Sequence, residues 1–189
     1  MPFNSIVFLI FGALFFALWP LAKKTDSRRW VYITAASLVF YGWWDWRFIF
    51  LLLGVGLIDY TAGRAMAAWP AHRRYFLLAS LAGNLGSLSI FKYAGFIAEN
   101  IGLMMNAAGY PCDLKAHLPE FTLMLPVGLS FFTFQSMSYT IDVYHGRMKP
   151  VTHLFHFYAF LSMFPQLVAG PIVRARDLIP QLAVCRNTT

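Results

Sequence analysis

The chain has 189 residues, 59 % of them hydrophobic, 18 % aromatic and only 12 % charged, with a net charge of +7 from 15 basic and 8 acidic side chains. A soluble domain carries roughly 25 % charged residues. With a mean hydropathy of +0.57, a water-soluble globule, a disordered chain and a disulfide-stapled scaffold are excluded, because a small domain keeps too much of its surface wet to hide this much apolar area.

The length suits about six membrane spans of roughly 20 residues each, joined by short links. The basic surplus fits Lys- and Arg-rich cytoplasmic loops. No basic stretch is interleaved with aromatics as a nucleic-acid surface requires, so no nucleic-acid partner is expected. Cys112 and Cys185 stand alone, with neither zinc spacing nor a disulfide framework.

The first apolar run, Phe3 to Ala22, has no basic residue before it, and Lys23, Lys24, Arg28 and Arg29 follow it. That order is not a secretory signal; it predicts an N-terminus outside the cytoplasm and an inner 23–29 loop. The second run, Trp30 to about Trp44, and the third, about Phe48 to Ala68, are joined by Trp43-Trp44-Asp45-Trp46-Arg47. Indoles favour the headgroup zone, so this link reads as an outer interfacial turn. The next link, with Arg64, His72, Arg73 and Arg74, is basic and reads as inner.

The fourth run begins near Tyr75 and reaches Phe91 or Ala98. Residues 99–120 are mixed, with Gly102, Gly109, Pro111, Pro119, Asp113, Lys115 and Glu120, and predict an outer loop with a short amphipathic or re-entrant piece. The fifth run spans Phe121 to about Tyr144 and ends on the basic residues His145, Arg147 and Lys149. The sixth spans about His153 to Val173 and is interrupted by Pro165 and Gly170-Pro171. The expected fold is therefore all-α: a polytopic membrane bundle of about six spans, with a broken or re-entrant segment near Pro165–Pro171 and no soluble domain within it.

The few polar residues carry the functional signal. Gln135, Ser138, Tyr139 and Asp142 recur at i, i+3, i+4 and i+7, one helical face. Polar groups in hydrocarbon need partners, so this face lines a polar tunnel or makes helix-to-helix hydrogen bonds. Near the proline break, Gln166 and Arg174 are either donors into a cavity or a helix end at the interface with Arg174 snorkelling. Asp59 sits inside an apolar run and is a functional candidate by default, with Arg64 as the competing structural partner. His153 and His156 are spaced i, i+3 but lack a third ligand, so no metal is expected. Gly54-Val55-Gly56 lacks the third glycine of a dinucleotide loop, and the terminal Asn187-Thr188-Thr189 triplet carries little information.

Two long signatures then stand out. Leu125-Pro126-Val127-Gly128-Leu129-Ser130-Phe131-Phe132-Thr133-Phe134-Gln135, continuing through Ser138-Tyr139-Thr140-Ile141-Asp142-Val143-Tyr144, is one; Phe164-Pro165-Gln166-Leu167-Val168-Ala169-Gly170-Pro171-Ile172-Val173-Arg174 is the other. With Phe40-Tyr41-Gly42-Trp43-Trp44, Asp59-Tyr60 and Phe91-Lys92-Tyr93 in order, the chain resembles the membrane-bound O-acyltransferase (MBOAT) family, closest to its alginate O-acetyltransferase branch. The resemblance implies a bacterial inner-membrane enzyme with no bound cofactor. It implies a cytoplasmic acyl donor, acetyl-CoA, and transfer toward alginate, another exopolysaccharide or a periplasmic polysaccharide-acetylation protein.

The family's catalytic histidine lies in a hydrophobic segment downstream of these signatures. His72, His117, His145, His153 and His156 do not occupy that motif, so no catalytic residue is assigned. The resemblance implies that 1–189 is the N-terminal part of a single MBOAT-type transmembrane domain, shorter than the family's, inactive alone, that supplies Gln135, Ser138, Tyr139, Asp142, Gln166 and Arg174 to a tunnel wall. A transporter or channel subunit and a membrane scaffold are the alternatives that composition leaves open.

Overall fold

The computed structural model describes residues 5–110, 115–119, 124, 126–170 and 173–183. Among them the secondary structure is helical: α1 (Ile6–Ala22), α2 (Asp26–Gly42), α3 (Arg47–Ala68), α4 (Arg73–Ala107), α5 (Leu129–Tyr144), α6 (Leu154–Leu161), α7 (Phe164–Ala169) and α8 (Ala175–Ala183), with short 3₁₀ turns at Pro70–His72 and Lys115–His117. α3 is long and apolar enough to cross a membrane, and α1 is apolar but has 17 residues.

The core is built where α3, α4 and α5 pack on one another and α6 closes over α2 and α3. Leu52, Phe132, Phe157, Phe160 and Leu161 are fully buried there. The glycines of α3 serve this packing. A Cβ at Gly56 would stand 2.7 Å from the Tyr158 ring, and one at Gly63 would stand 2.6 Å from Tyr139 Oη. The fragment that begins like a dinucleotide loop is thus part of a helix, flattened at Gly56 to receive the Tyr158 ring. Many apolar side chains on α1 and α4 face outward, among them Ile6, Leu9, Phe16, Leu78, Ile90 and Phe96.

The turn at 43–46 forms as expected, with Trp43, Trp44 and Trp46 all exposed. Arg47 donates to both carboxylate oxygens of Asp45 at 2.6–3.0 Å, and these bonds hold the Asp45 carboxyl below the usual carboxylate range. Arg47 also reaches Met124 Sδ at 3.6 Å, so the 43–47 turn and residue 124 lie at one end of the bundle. At the other end Arg64 donates to Thr152 O at 2.9 Å, and Arg29 donates to Ala183 O at 3.0 Å.

Two expectations are corrected. α4 does not give way to a loop at residue 99; it continues to Ala107. Asn100 folds its amide back onto Phe96 O at 2.7 Å, which satisfies it on its own helix. The sixth run is broken, but earlier than its prolines suggest. α6 stops at Leu161, and Pro165 lies in the first turn of α7. Proline in a continuous helix would clash with the carbonyl four residues back, here Leu161, whereas a first-turn N–H has no helical partner to lose. Pro111, Cys112, Asp113, Glu120, Leu125, Pro171, Ile172, Cys185 and the Asn187 triplet lie outside the described residues.

Candidate functional site

The break between α6 and α7 is where the polar residues of three helices meet. In an unbroken helix the Phe164 N–H would donate to Phe160 O. Instead, Phe164 N donates to Ser37 Oγ of α2 at 3.3 Å, and Phe160 O accepts from Gln135 Nε2 of α5 at 2.9 Å. Both groups of that one bond are therefore caught by side chains from neighbouring helices. Ser37 is fully buried and Gln135 is 3 % exposed, so water cannot replace them, and an unsatisfied backbone group there would cost free energy. Gln135 Nε2 also lies 3.4 Å from Gln166 Oε1, the first polar side chain of α7 beyond the break. Ser162 closes the α6 end by turning both its N–H and its hydroxyl onto Tyr158 O, at 2.8 and 2.7 Å.

Of the residues singled out from sequence, Gln135 and Gln166 are thus brought together. The others are spread along the bundle. Ser138 is partly buried and donates to Gln135 O at 2.7 Å. Tyr139 is fully buried, accepts from Val151 N at 3.1 Å and meets the Phe157 ring at 4.8 Å. Asp142, 2 % exposed, accepts from Arg147 at 3.4 Å near the α5 end. Arg174 is exposed, and its carbonyl accepts from Asp177 N at 3.0 Å at the start of α8.

A second polar cluster lies on the adjacent face of α5. Asp59 of α3 is fully buried. Its carboxyl oxygens accept from the hydroxyls of Ser80 and Ser136, and from Asn84 Nδ2 at 2.8 Å to each oxygen. Ser80 Oγ also lies 3.1 Å from Thr140 Oγ1. Four hydrogen bonds from α4 and α5 converge on one α3 side chain. The competing pair with Arg64 does not form. Arg64 bonds Tyr60 and Thr152 instead, because five residues along a helix turn a side chain well away from its partner. Ser37, Ser80, Asn84, Ser136 and Thr140 were not singled out from sequence. For the last four the one signal is spacing: Ser80 with Asn84 and Ser136 with Thr140 are i, i+4 pairs, each presenting two small polar groups from one face.

At the α2 start, His156 stacks on Trp30 with ring centroids 4.1 Å apart, and its Nε2 lies 3.8 Å from Asp26. His153 stands 4.9 Å from His156, ring to ring. Chemically, the break offers two neutral amides, able to orient a carbonyl or a hydroxyl. It offers no side chain among the described residues suited to act as a base.

The chain is 36 % identical over 187 residues to the probable alginate O-acetylase AlgI of Pseudomonas putida, an alignment covering 96 % of this chain and 37 % of that protein. It is 35 % identical over 185 residues to the protein of the same description from Pseudomonas aeruginosa, covering 96 % of this chain and 34 % of the relative. It is also 30 % identical over 207 residues to the peptidoglycan O-acetyltransferase of Helicobacter pylori, covering 95 % and 37 %. The chain thus spans about a third of the length of the curated relatives it matches. No protein-family model matches it, and no solved structure matches it. The resemblance carried by the two signatures extends along nearly the whole chain.

Proposed function

We propose that this chain forms part of a membrane-bound O-acyltransferase that moves acetyl groups from cytoplasmic acetyl-CoA toward alginate or a similar exopolysaccharide. The observation that carries this reading is the 35–37 % identity, maintained over 96 % of the chain, to proteins described as alginate O-acetylases. Acyl transfer requires a hydroxyl to attack a thioester carbonyl while a base accepts its proton and the thiolate leaves. The contribution of this chain is positional. Gln135 and Ser37 pair with Phe160 O and the Phe164 N–H at the helix discontinuity, and irregular backbone at membrane depth is tolerated where it is buried in protein or lines a cavity. Gln166 is then presented beside that opening.

The polytopic arrangement belongs to the same proposal. α1 to α5 and the broken α6–α7 pair make six passes through a bacterial inner membrane, with the N-terminus outside. Lys23, Lys24, Arg28, Arg64, Arg73, Arg74, Arg147 and Lys149 stand in or beside links at the cytoplasmic end, and the tryptophan turn at 43–46 lies at the periplasmic headgroup level. The acceptor is reached on that outer side, by polysaccharide directly or through periplasmic acetylation proteins.

Deleting the gene that encodes this chain removes most ester-linked acetate from the exopolysaccharide of the cell, measured as acetate released by mild base. Unchanged acetate in both exopolysaccharide and peptidoglycan would contradict the reading. Loss confined to peptidoglycan would move the acceptor to that polymer.

A further inference from the structure

The cytoplasmic end of the bundle holds a cleft of about 480 Å³ between the C-terminal end of α3, the start of α4 and the loop that follows α5. Three cations line it: Arg73, Arg147 and Lys149. All three are exposed, and no acidic side chain is among the lining residues. Asp142 stands behind Arg147 and offsets part of one charge. The rest of the wall is largely apolar, with Met66, Val143 and Met148, and the Tyr144 ring lies under Arg73 at 5.1 Å.

The cleft's level along the chain is informative. It opens at the last turn of α3, the helix long and apolar enough to cross a membrane. The next residue, Trp69, is 59 % exposed, and exposed indoles at span ends sit at the headgroup level. A site at that depth lined by both cations and apolar side chains suits an amphiphile whose charged part is a phosphate. Basic pockets between transmembrane helices hold anionic headgroups in this way, and arginine forks match phosphate oxygens.

The geometry points to a binding site for the phosphate headgroup of an anionic phospholipid in the Arg73, Arg147 and Lys149 cleft. The site requires α3 to lie in a bilayer; it does not require the chain to transfer an acyl group. The headgroup would tie the α3–α4 turn to the loop after α5, two links that no described helix spans.

The test is lipid retention by the purified chain in uncharged detergent, measured by native mass spectrometry with phosphatidylglycerol and phosphatidylcholine supplied equally. Phosphatidylglycerol is retained in preference, and Lys149→Gln lowers its affinity about fivefold, the effect of one basic residue at a membrane surface. Arg73→Gln with Arg147→Gln lowers it further. Should that pair fail to fold, as judged by circular dichroism, Lys149→Gln alone decides, since its side chain is exposed. Lys23→Gln with Lys24→Gln, basic residues outside the cleft, leaves retention unchanged. Equal retention of the two lipids, or an equal loss in the Lys23 and Lys24 variant, would overturn the site. Displacement of the lipid by excess coenzyme A or inorganic phosphate would also overturn it, in favour of a water-soluble phosphate ligand.

Discussion

Asp59→Ala lowers the unfolding free energy of the bundle by about 3 kcal/mol, read from denaturation in mixed detergent micelles. The carboxyl of Asp59 accepts four hydrogen bonds from Ser80, Ser136 and Asn84, and those donors belong to two other helices. Interhelical hydrogen bonds inside membrane bundles average roughly 0.6 kcal/mol, so four account for most of the loss. The remainder is the small cavity left where the side chain was fully buried. The serine hydroxyls can turn onto carbonyls one helical turn back, which limits the penalty. Asn84 keeps only its bond to Ser80 O at 2.9 Å. Ser80→Ala, which removes one donor and leaves the carboxyl three bonds, costs about 1 kcal/mol. A loss below about 0.5 kcal/mol for Asp59→Ala would mean that the α3–α4–α5 junction is held by apolar packing alone.

Gly128→Ala is equally severe, for a backbone reason. Gly128 precedes α5 with φ +76°, the left-handed region, and a Cβ there would stand 2.3 Å from Leu167 O. The conformational penalty is roughly 1–2 kcal/mol. The clash adds to it, because the obstacle is a backbone carbonyl in α7 that cannot rotate away. The expected total is about 3 kcal/mol or more. The α7 turn carrying Gln166 shifts as a consequence. Gly12→Ala provides the control: nothing lies within 4 Å of its added methyl, and alanine in a helix gains up to about 1 kcal/mol over glycine. Equal melting temperatures for the two variants would contradict the close approach of α5 to α7.

These two positions show what the sequence discloses and what it withholds. α3 is legible almost to the residue, because its apolar run is bounded by Arg47 and the Trp69-Pro70 pair. The interruption of the sixth run is legible from Pro165, yet its position is not. A proline tells where a helix cannot continue, while the stop falls wherever the released groups find partners, here at Ser162 because Ser37 and Gln135 are at hand. Gln135 is conspicuous on its helix, but its principal partner is a backbone carbonyl that becomes free only when α6 ends. Asp59 is conspicuous as well. Its partners are not, because serine, threonine and asparagine in a helix are individually unremarkable and converge only after three helices have packed. The long α4 is missed for the opposite reason: Gly102 reads as loop punctuation, yet its neighbours Ala98, Leu103 and Met104 are good helix formers and the helix runs through it to Ala107.

The claim that this chain is a working part of an O-acetyltransferase, with Gln135 at the helix break, is tested most directly by exchange. Residues 1–183 replace the matching segment of the Pseudomonas putida alginate O-acetylase, and ester-linked acetate on alginate is measured in cells lacking the native protein. The chimera restores acetylation, and Gln135→Leu in it lowers acetylation at least about tenfold while membrane abundance stays the same, since leucine leaves Phe160 O unpaired. A chimera inserted at normal abundance that adds no acetate, or a Gln135→Leu variant as active as its parent, would contradict that claim.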